Sequence, residues 1–333
     1  MRVLSLFDGI ACGRIALERA GIHVEKYYAS EIEKASISIA QYNYPNIIQL
    51  GDINKIDFSE FIGKVDMIIG GSPCQNLSIL GNRKGLQGEQ SGLFYKFVEA
   101  INTIKPKYFL LENNYGMKQD ALEEMSRLMG CYPVLIDSAL VSAQRRKRYY
   151  WTNIKTRKGL IGWEFSNIPQ PKDKNIKLED VLDDFVGVNK TTEYLDRRLK
   201  LVCEKLGYCP LIWNAYDGIE LKDKAPTQTT NCSGRFSSSS ILRFCEGKDY
   251  EVKDGMIYLP KPYKCSLPNG LYGITSQSVN VCEKLQTLPQ DYTKFGLDGD
   301  TVKEVPKGSR YKAIGNGWTV DVIAHIFSYL EEV

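Results

Sequence analysis

At 333 residues, with 43% apolar and 25% charged side chains, the chain has the composition of a globular protein with room for two domains. No apolar run approaches the roughly 18 residues a membrane-spanning helix needs, and the early apolar run is cut by Asp8, so a cytoplasmic protein without a signal peptide is expected. A net charge of +3 permits an anionic partner without demanding one, and the only two histidines, His23 and His325, argue against a histidine triad or a histidine-ligated zinc.

Strand and helix signals alternate through the first half. Val3 to Phe7 is apolar and ends in Asp8-Gly9, and a helix is predicted from Gly13 to Ala20. Val24 to Ser30 reads as a strand ending at Glu31, with a helix following to about Tyr44. Ile47 to Leu50 closes on Gly51-Asp52, and Val65 to Ile69 runs into Gly70-Gly71-Ser72-Pro73-Cys74. Leu93 to Ile104 has helical spacing, Tyr108 to Leu111 is a strand ending at Glu112, and Val134 to Ile136 and Tyr149 to Trp151 continue the series. This alternation predicts an α/β fold, a parallel sheet with helices on both faces. Ligands of such sheets bind outside the carboxyl ends of the strands, where Asp8, Glu31, Asp52, Cys74 and Glu112 all fall.

Past Trp151 the pattern changes. Lys155 to Asn175 is polar and basic and reads as a linker, residues 190 to 300 are irregular, and Trp318 to Leu330 regains helical spacing. The predicted division is a first domain over 1–160, a smaller second domain over 161–300, and a segment over 301–333 that returns to the first. The nine cysteines include no C-x-x-C pair and read as reduced thiols, so no metal site is expected.

The loop after the first strand lacks the G-x-G-x-x-G spacing of a dinucleotide enzyme, and Asp8 would repel a phosphate. An acid there suits a ligand bearing ammonium and sulfonium groups, and Glu31, about 20 residues on, is placed to accept from ribose hydroxyls.

Three motifs decide the chemistry: Gly70-Gly71-Ser72-Pro73-Cys74-Gln75, Glu112-Asn113-Asn114, and Gln144-Arg145-Arg146-Lys147-Arg148. They resemble the Pro-Cys, Glu-Asn and Gln-x-Arg-x-Arg motifs of DNA cytosine-5 methyltransferases, in the same order. Cys282 through Tyr292 and Ile314-Gly315-Asn316-Gly317 are similar to the last two motifs of that family. Arg2 to Ala11, Ser72 and Gly317-Trp318-Thr319-Val320 look most like the catalytic core of the vertebrate de novo enzymes, whereas Gln-x-Arg-x-Arg and Gly-Asn look bacterial. A bacterial or phage member is the expectation.

The resemblance implies a Rossmann-like fold that binds S-adenosyl-L-methionine, yields S-adenosyl-L-homocysteine and methylates carbon 5 of cytosine in a specific sequence of double-stranded DNA. Cys74 would be the covalent nucleophile, Glu112 would bond and protonate ring N3, and Arg146 and Arg148 would hold the carbonyl oxygen of the base. Phe7, Asp8, Gly9, Cys12, Glu31, Ile32, Asp52, Ile53, Asn316 and Trp318 would hold the donor, with Cys12 standing where the vertebrate subgroup has threonine. The base would be flipped from the duplex, beneath a mobile loop over Asn76 to Gly92. Gln75, Ser78, Arg83, Lys84, Thr230, Asn231 and Arg235 are the candidate DNA contacts. A monomer is expected, with a cognate restriction endonuclease as the partner if the enzyme serves restriction–modification. The rival readings are a tRNA cytosine-5 methyltransferase, sharing this catalytic core, and a non-catalytic DNA-binding homologue.

Overall fold

The computed structural model describes residues 1–72, 89–160, 162–182, 185–186, 193–208, 210, 212–231, 241–246, 251–253, 256–258 and 272–330. Seven strands form the main sheet: β1 Arg2–Leu6, β2 Lys26–Ser30, β3 Ile48–Gln49, β4 Met67–Gly71, β5 Tyr108–Asn114, β6 Val134–Asp137 and β7 Lys147–Thr152. Their spatial order is β3-β2-β1-β4-β5-β7-β6. The first five run parallel, and β7 is antiparallel to both β5 and β6. The order reverses between β1 and β4, and such a switch point opens a crevice at the carboxyl ends of the strands.

Side chains alternate across each strand, so every strand serves two cores. Val3, Met67, Ile69 and Leu110 point to one face, where α1 Cys12–Arg19 and α2 Lys34–Asn43 supply Ile15, Ala16, Ile39 and Ala40. Leu4, Leu6, Ile68, Phe109 and Leu111 point to the other, against Phe94 and Phe97 of α3 Glu89–Ile104 and Met125 and Met129 of α4 Gln119–Met129. Strands buried on both faces read as continuous apolar runs, which is why β4 and β5 were legible. The α4 helix was not predicted, although Ala121, Met125 and Met129 repeat every fourth residue and are buried.

The short helix α5 Leu178–Val181 comes next, and the region read as irregular contains α6 Glu193–Leu206 and a four-stranded sheet built from Ile212–Asn214, Ile219–Glu220, Leu242–Glu246 and Tyr272–Ser276. Leu199, Val202, Trp213 and Ala215 make a small core of their own. The boundaries shift from those expected. Glu164–Ser166 pairs with Cys131–Tyr132, and Ile168 lies in the main core, so residues after 161 still belong to the first unit. The return begins at α7 Val279–Leu285 rather than at residue 301, because Val279, Cys282 and Leu288 already pack into the main core. It continues through α8 Lys307–Asn316 and α9 Val320–Phe327, which packs on α1.

Cys12, Cys131 and Cys282 are free and buried, whereas Cys203 is disulfide-bonded, a departure from the reading of nine reduced thiols. Among the described residues no helix is long and apolar enough to cross a membrane, and no cluster of His, Cys, Asp and Glu is arranged to hold a metal.

Candidate active site

After β1 the chain turns through Phe7, Gly9 and Ala11, all with φ near +60°. Glycine adopts that conformation freely, but Phe7 and Ala11 are held there against local preference. Hydrogen bonds to the second strand end do the holding. The Asp8 N–H donates to Ser30 O at 3.1 Å, and the Gly9 N–H donates to Glu31 Oε2 at 2.8 Å. Glu31 Oε1 accepts from the N–H groups of Ile32 (2.7 Å) and Glu33 (2.9 Å), so its carboxylate is locked at the carboxyl end of β2. Ser30 Oγ reaches Gly51 O at 2.7 Å, drawing in the third strand end, where Asp52 caps the short turn Ile53–Lys55 through Asn54 N–H at 3.0 Å.

Asp8 carries the strongest signal in this half. Its Oδ1 accepts from the Tyr27 hydroxyl at 2.7 Å, while Oδ2 is buried without a hydrogen-bond partner. Burial, reinforced by the negative charge of Glu31, pushes the Asp8 carboxyl up to about 6. A buried carboxylate oxygen with a vacant acceptor position fits a cationic ligand group. Cys12 is 2% exposed, and burial pushes its thiol up to about 12.

The other half stands on β4 and β5. Their register pairs Gly71 with Glu112, and β5 to β7 pairing sets Asn114 opposite Arg148. Arg148 Nε lies 2.9 Å from Glu112 Oε1, and Trp318 Nε1 donates to Glu112 Oε2 at 3.2 Å. A Cβ on Gly71 would lie 2.8 Å from Glu112 Oε2 and 2.9 Å from Trp318 Nε1, so only glycine leaves room for this contact. Asn113 Nδ2 donates to Ser72 Oγ at 3.1 Å, tying the end of β5 to the residues that precede Cys74. The neighbouring Arg146 is 5% exposed and directs its guanidinium to main-chain carbonyls: Nη1 to Gln228 O at 2.7 Å and Nη2 to Gly317 O at 3.0 Å.

These groups line one cleft of about 1130 Å³ at the carboxyl ends of the strands. All ten residues expected to hold a donor lie on its wall, from Phe7 to Trp318, together with Glu112, Arg146 and Arg148. Cys74, Gln75, Ser78, Arg83, Lys84 and Arg235, and with them most of the expected Asn76 to Gly92 loop, lie outside the described residues. Thr230 and Asn231 are exposed and line no part of the cleft, although the preceding Thr229 abuts Gly315. The roles of Asn113 and Gln228 were missed. Asn113 had a signal, a polar residue inside the buried end of an apolar strand, whereas Gln228 had none because its contact uses the backbone.

The family model described as C-5 cytosine-specific DNA methylase matches residues 1–332. The chain is 33% identical over 167 residues to the Orphan methyltransferase M.SPRI of Bacillus phage SPR, which covers 46% of this chain and 38% of that protein. It is 33% identical over 198 residues to the Type II methyltransferase M.NgoPII of Neisseria gonorrhoeae, covering 55% of this chain and 57% of that one. The matches thus span well under two thirds of these relatives. Among solved structures, the Entamoeba histolytica methyltransferase EhMeth superposes with a TM-score of 0.63 at 17% identity, covering 99% of this chain and 97% of that one. The Schizosaccharomyces pombe (S. pombe) Dnmt2 methyltransferase gives 0.61 at 15% identity, covering 99% and 98%. At such identities the likeness is one of fold.

Proposed function

The chain belongs to the C-5 cytosine-specific DNA methylase family, and on that premise we propose that it methylates carbon 5 of cytosine within a specific sequence of double-stranded DNA. The observation that carries this reading is the Arg148–Glu112–Trp318 chain of contacts, which places a carboxylate on the wall shared by the donor side and the catalytic side of one cleft.

Carbon 5 of cytosine is too weak a nucleophile to take a methyl group unaided. Cys74, two residues beyond Ser72, supplies the thiolate that bonds to carbon 6, while Glu112 gives a proton to ring N3 and accepts from the exocyclic amine. The electron pair then rests on carbon 5, which forms the bond to the methyl group as the bond from that group to the donor sulfur breaks and leaves its electron pair on the sulfur. A base removes the carbon-5 proton, the bond from carbon 6 to the Cys74 sulfur breaks, and the N3 proton returns. Arg148 holds the Glu112 carboxylate in place and faces the carbonyl oxygen of the base.

S-adenosyl-L-methionine is the methyl donor of this family and, when bound, supplies an electrophilic methyl group. The unpartnered Asp8 Oδ2 fits its ammonium, Glu31 its ribose hydroxyls, and Phe7, Ile32, Ile53 and Trp318 its apolar surfaces. The target atom lies inside the duplex, so the base must be flipped at a cost of a few kcal/mol.

The test is methyl transfer from labelled S-adenosyl-L-methionine to duplex DNA or to tRNA, by the natural protein and by Cys74→Ala. Label is expected on DNA and to vanish with the substitution. Label on tRNA alone would establish the RNA reading, and full activity of Cys74→Ala would sink the mechanism. Bisulfite sequencing of the methylated DNA then reads out the sequence chosen.

A further inference from the structure

A buried guanidinium needs acceptors, and those that Arg146 has found belong to two distant parts of the chain. Its Nη1 donates to Gln228 O at 2.7 Å, in the segment that runs on to Thr230 and Asn231. Its Nη2 donates to Gly317 O at 3.0 Å and Gly315 O at 3.4 Å, in the loop that carries Asn316 and Trp318 on the cleft wall. Desolvation by burial, with help from Arg148, lowers the guanidinium to about 10, so it stays charged at neutral pH.

A second strut runs beside the first. Gln144 is fully buried; its Oε1 accepts from the Gln228 N–H at 3.1 Å, and its Nε2 donates to Gln286 Oε1 at 2.9 Å and Thr319 Oγ1 at 3.3 Å. Gln286 Nε2 in turn donates to Ile314 O at 3.0 Å and Gly317 O at 3.2 Å. The contact is tight: a Cβ on Gly315 would lie 2.3 Å from the Thr229 carbonyl carbon. Close-packed groups cannot absorb a shift locally, so a displacement of the 315–318 loop must be passed to Gln228 and Thr229.

We propose that Arg146 is a positioning residue that joins the segment around Gln228 to the 315–318 loop, so that the donor and the target DNA each strengthen the binding of the other. The proposal rests on the donor and DNA reading given above. It assigns Arg146 a role apart from Arg148, whose charge is directed to Glu112. Because coupling between two binding sites is reciprocal, one measured factor describes both directions.

The experiment measures the affinity of the full chain for S-adenosyl-L-homocysteine, alone and with a saturating duplex that carries the methylated sequence. The natural protein is expected to bind at least about fivefold tighter with the duplex than without it. Arg146→Gln should lower that ratio, leaving only what the Gln144 strut and the Gly315 contact carry. Arg146→Lys, whose single ammonium reaches one carbonyl, should fall between, and Arg148→Gln should keep the full ratio while losing methyl transfer. A second readout needs no variant and no DNA: S-adenosyl-L-homocysteine should slow hydrogen exchange at the Ala225 and Gln228 amides, neither of which lines the cleft. Unchanged exchange there, or full coupling in a folded Arg146→Gln, would overturn the proposal while leaving methyl transfer by the natural protein intact. Absence of methyl transfer instead overturns the underlying reading, and the proposal with it.

Discussion

Asp8 shows how one atom sets a pH dependence. Its carboxyl is raised to about 6 by burial, so the folded protein keeps this proton to a higher pH than the unfolded chain does. That contribution to stability is fully present below the ordinary carboxylate range and is lost as pH rises through about 6. Donor binding has the opposite preference, since an ammonium group pairs with the ionised form. Affinity for S-adenosyl-L-homocysteine is therefore expected to fall toward tenfold per pH unit below about pH 6. Asp8→Asn should flatten the profile, and calorimetric titration from pH 5 to pH 8 checks it. A flat profile in the natural protein would show that Asp8 Oδ2 does not face the cation. At this scale the sequence was informative about identity and silent about state. The Asp8, Glu31 and Glu112 positions follow from strand ends, whereas the vacant oxygen of Asp8 depends on Tyr27, 19 residues away, claiming the other one.

Among the elements, β4 has no room for a Cβ at either of its two glycines. Gly70 faces α3, and a Cβ there would lie 2.6 Å from Leu6 O of β1 and 3.0 Å from the Phe97 ring. Backbone cannot yield as a side chain can, so Gly70→Ala is expected to cost about 1–3 kcal/mol, read as a lower urea midpoint. An unchanged midpoint would mean that β1 and β4 can separate freely. The Gly-Gly before Ser-Pro-Cys was visible as a motif, but its two glycines serve different neighbours: Gly70 admits α3, and Gly71 admits the Glu112–Trp318 contact. Elements with long apolar runs, such as β4 and β5, could be read directly. The α8 helix could not, because Arg310 is among its four buried residues, and a buried cation looks the same in sequence as an exposed one.

For the molecule as a whole, the C-terminal return closes the structure through that arginine. Glu283 is fully buried and accepts from the N–H groups of Asp291 and Thr293, both at 2.9 Å, and from Arg310 Nη2 at 3.2 Å. Arg310 Nε also donates to Thr293 Oγ1 at 2.9 Å. Removing one partner of a buried ion pair leaves the other charged and uncompensated, so Arg310→Met should cost about 3 kcal/mol. Chemical denaturation measures this, and a loss below about 0.5 kcal/mol, the range of ordinary surface substitutions, would refute it.

What the sequence determined by itself was the chemistry of each strand end and the alternation that builds the sheet, because both follow from short-range periodicity and from side-chain type. The motifs named the residues but not their partners. Tertiary structure decided that Arg148 meets Glu112, that Arg146 is drawn to the carbonyls of Gln228 and Gly317, and that the return starts at Val279. All three join groups that lie tens of residues or more apart in the chain, and where the partner is a carbonyl, the same in every residue, no mark in the sequence foretells the contact.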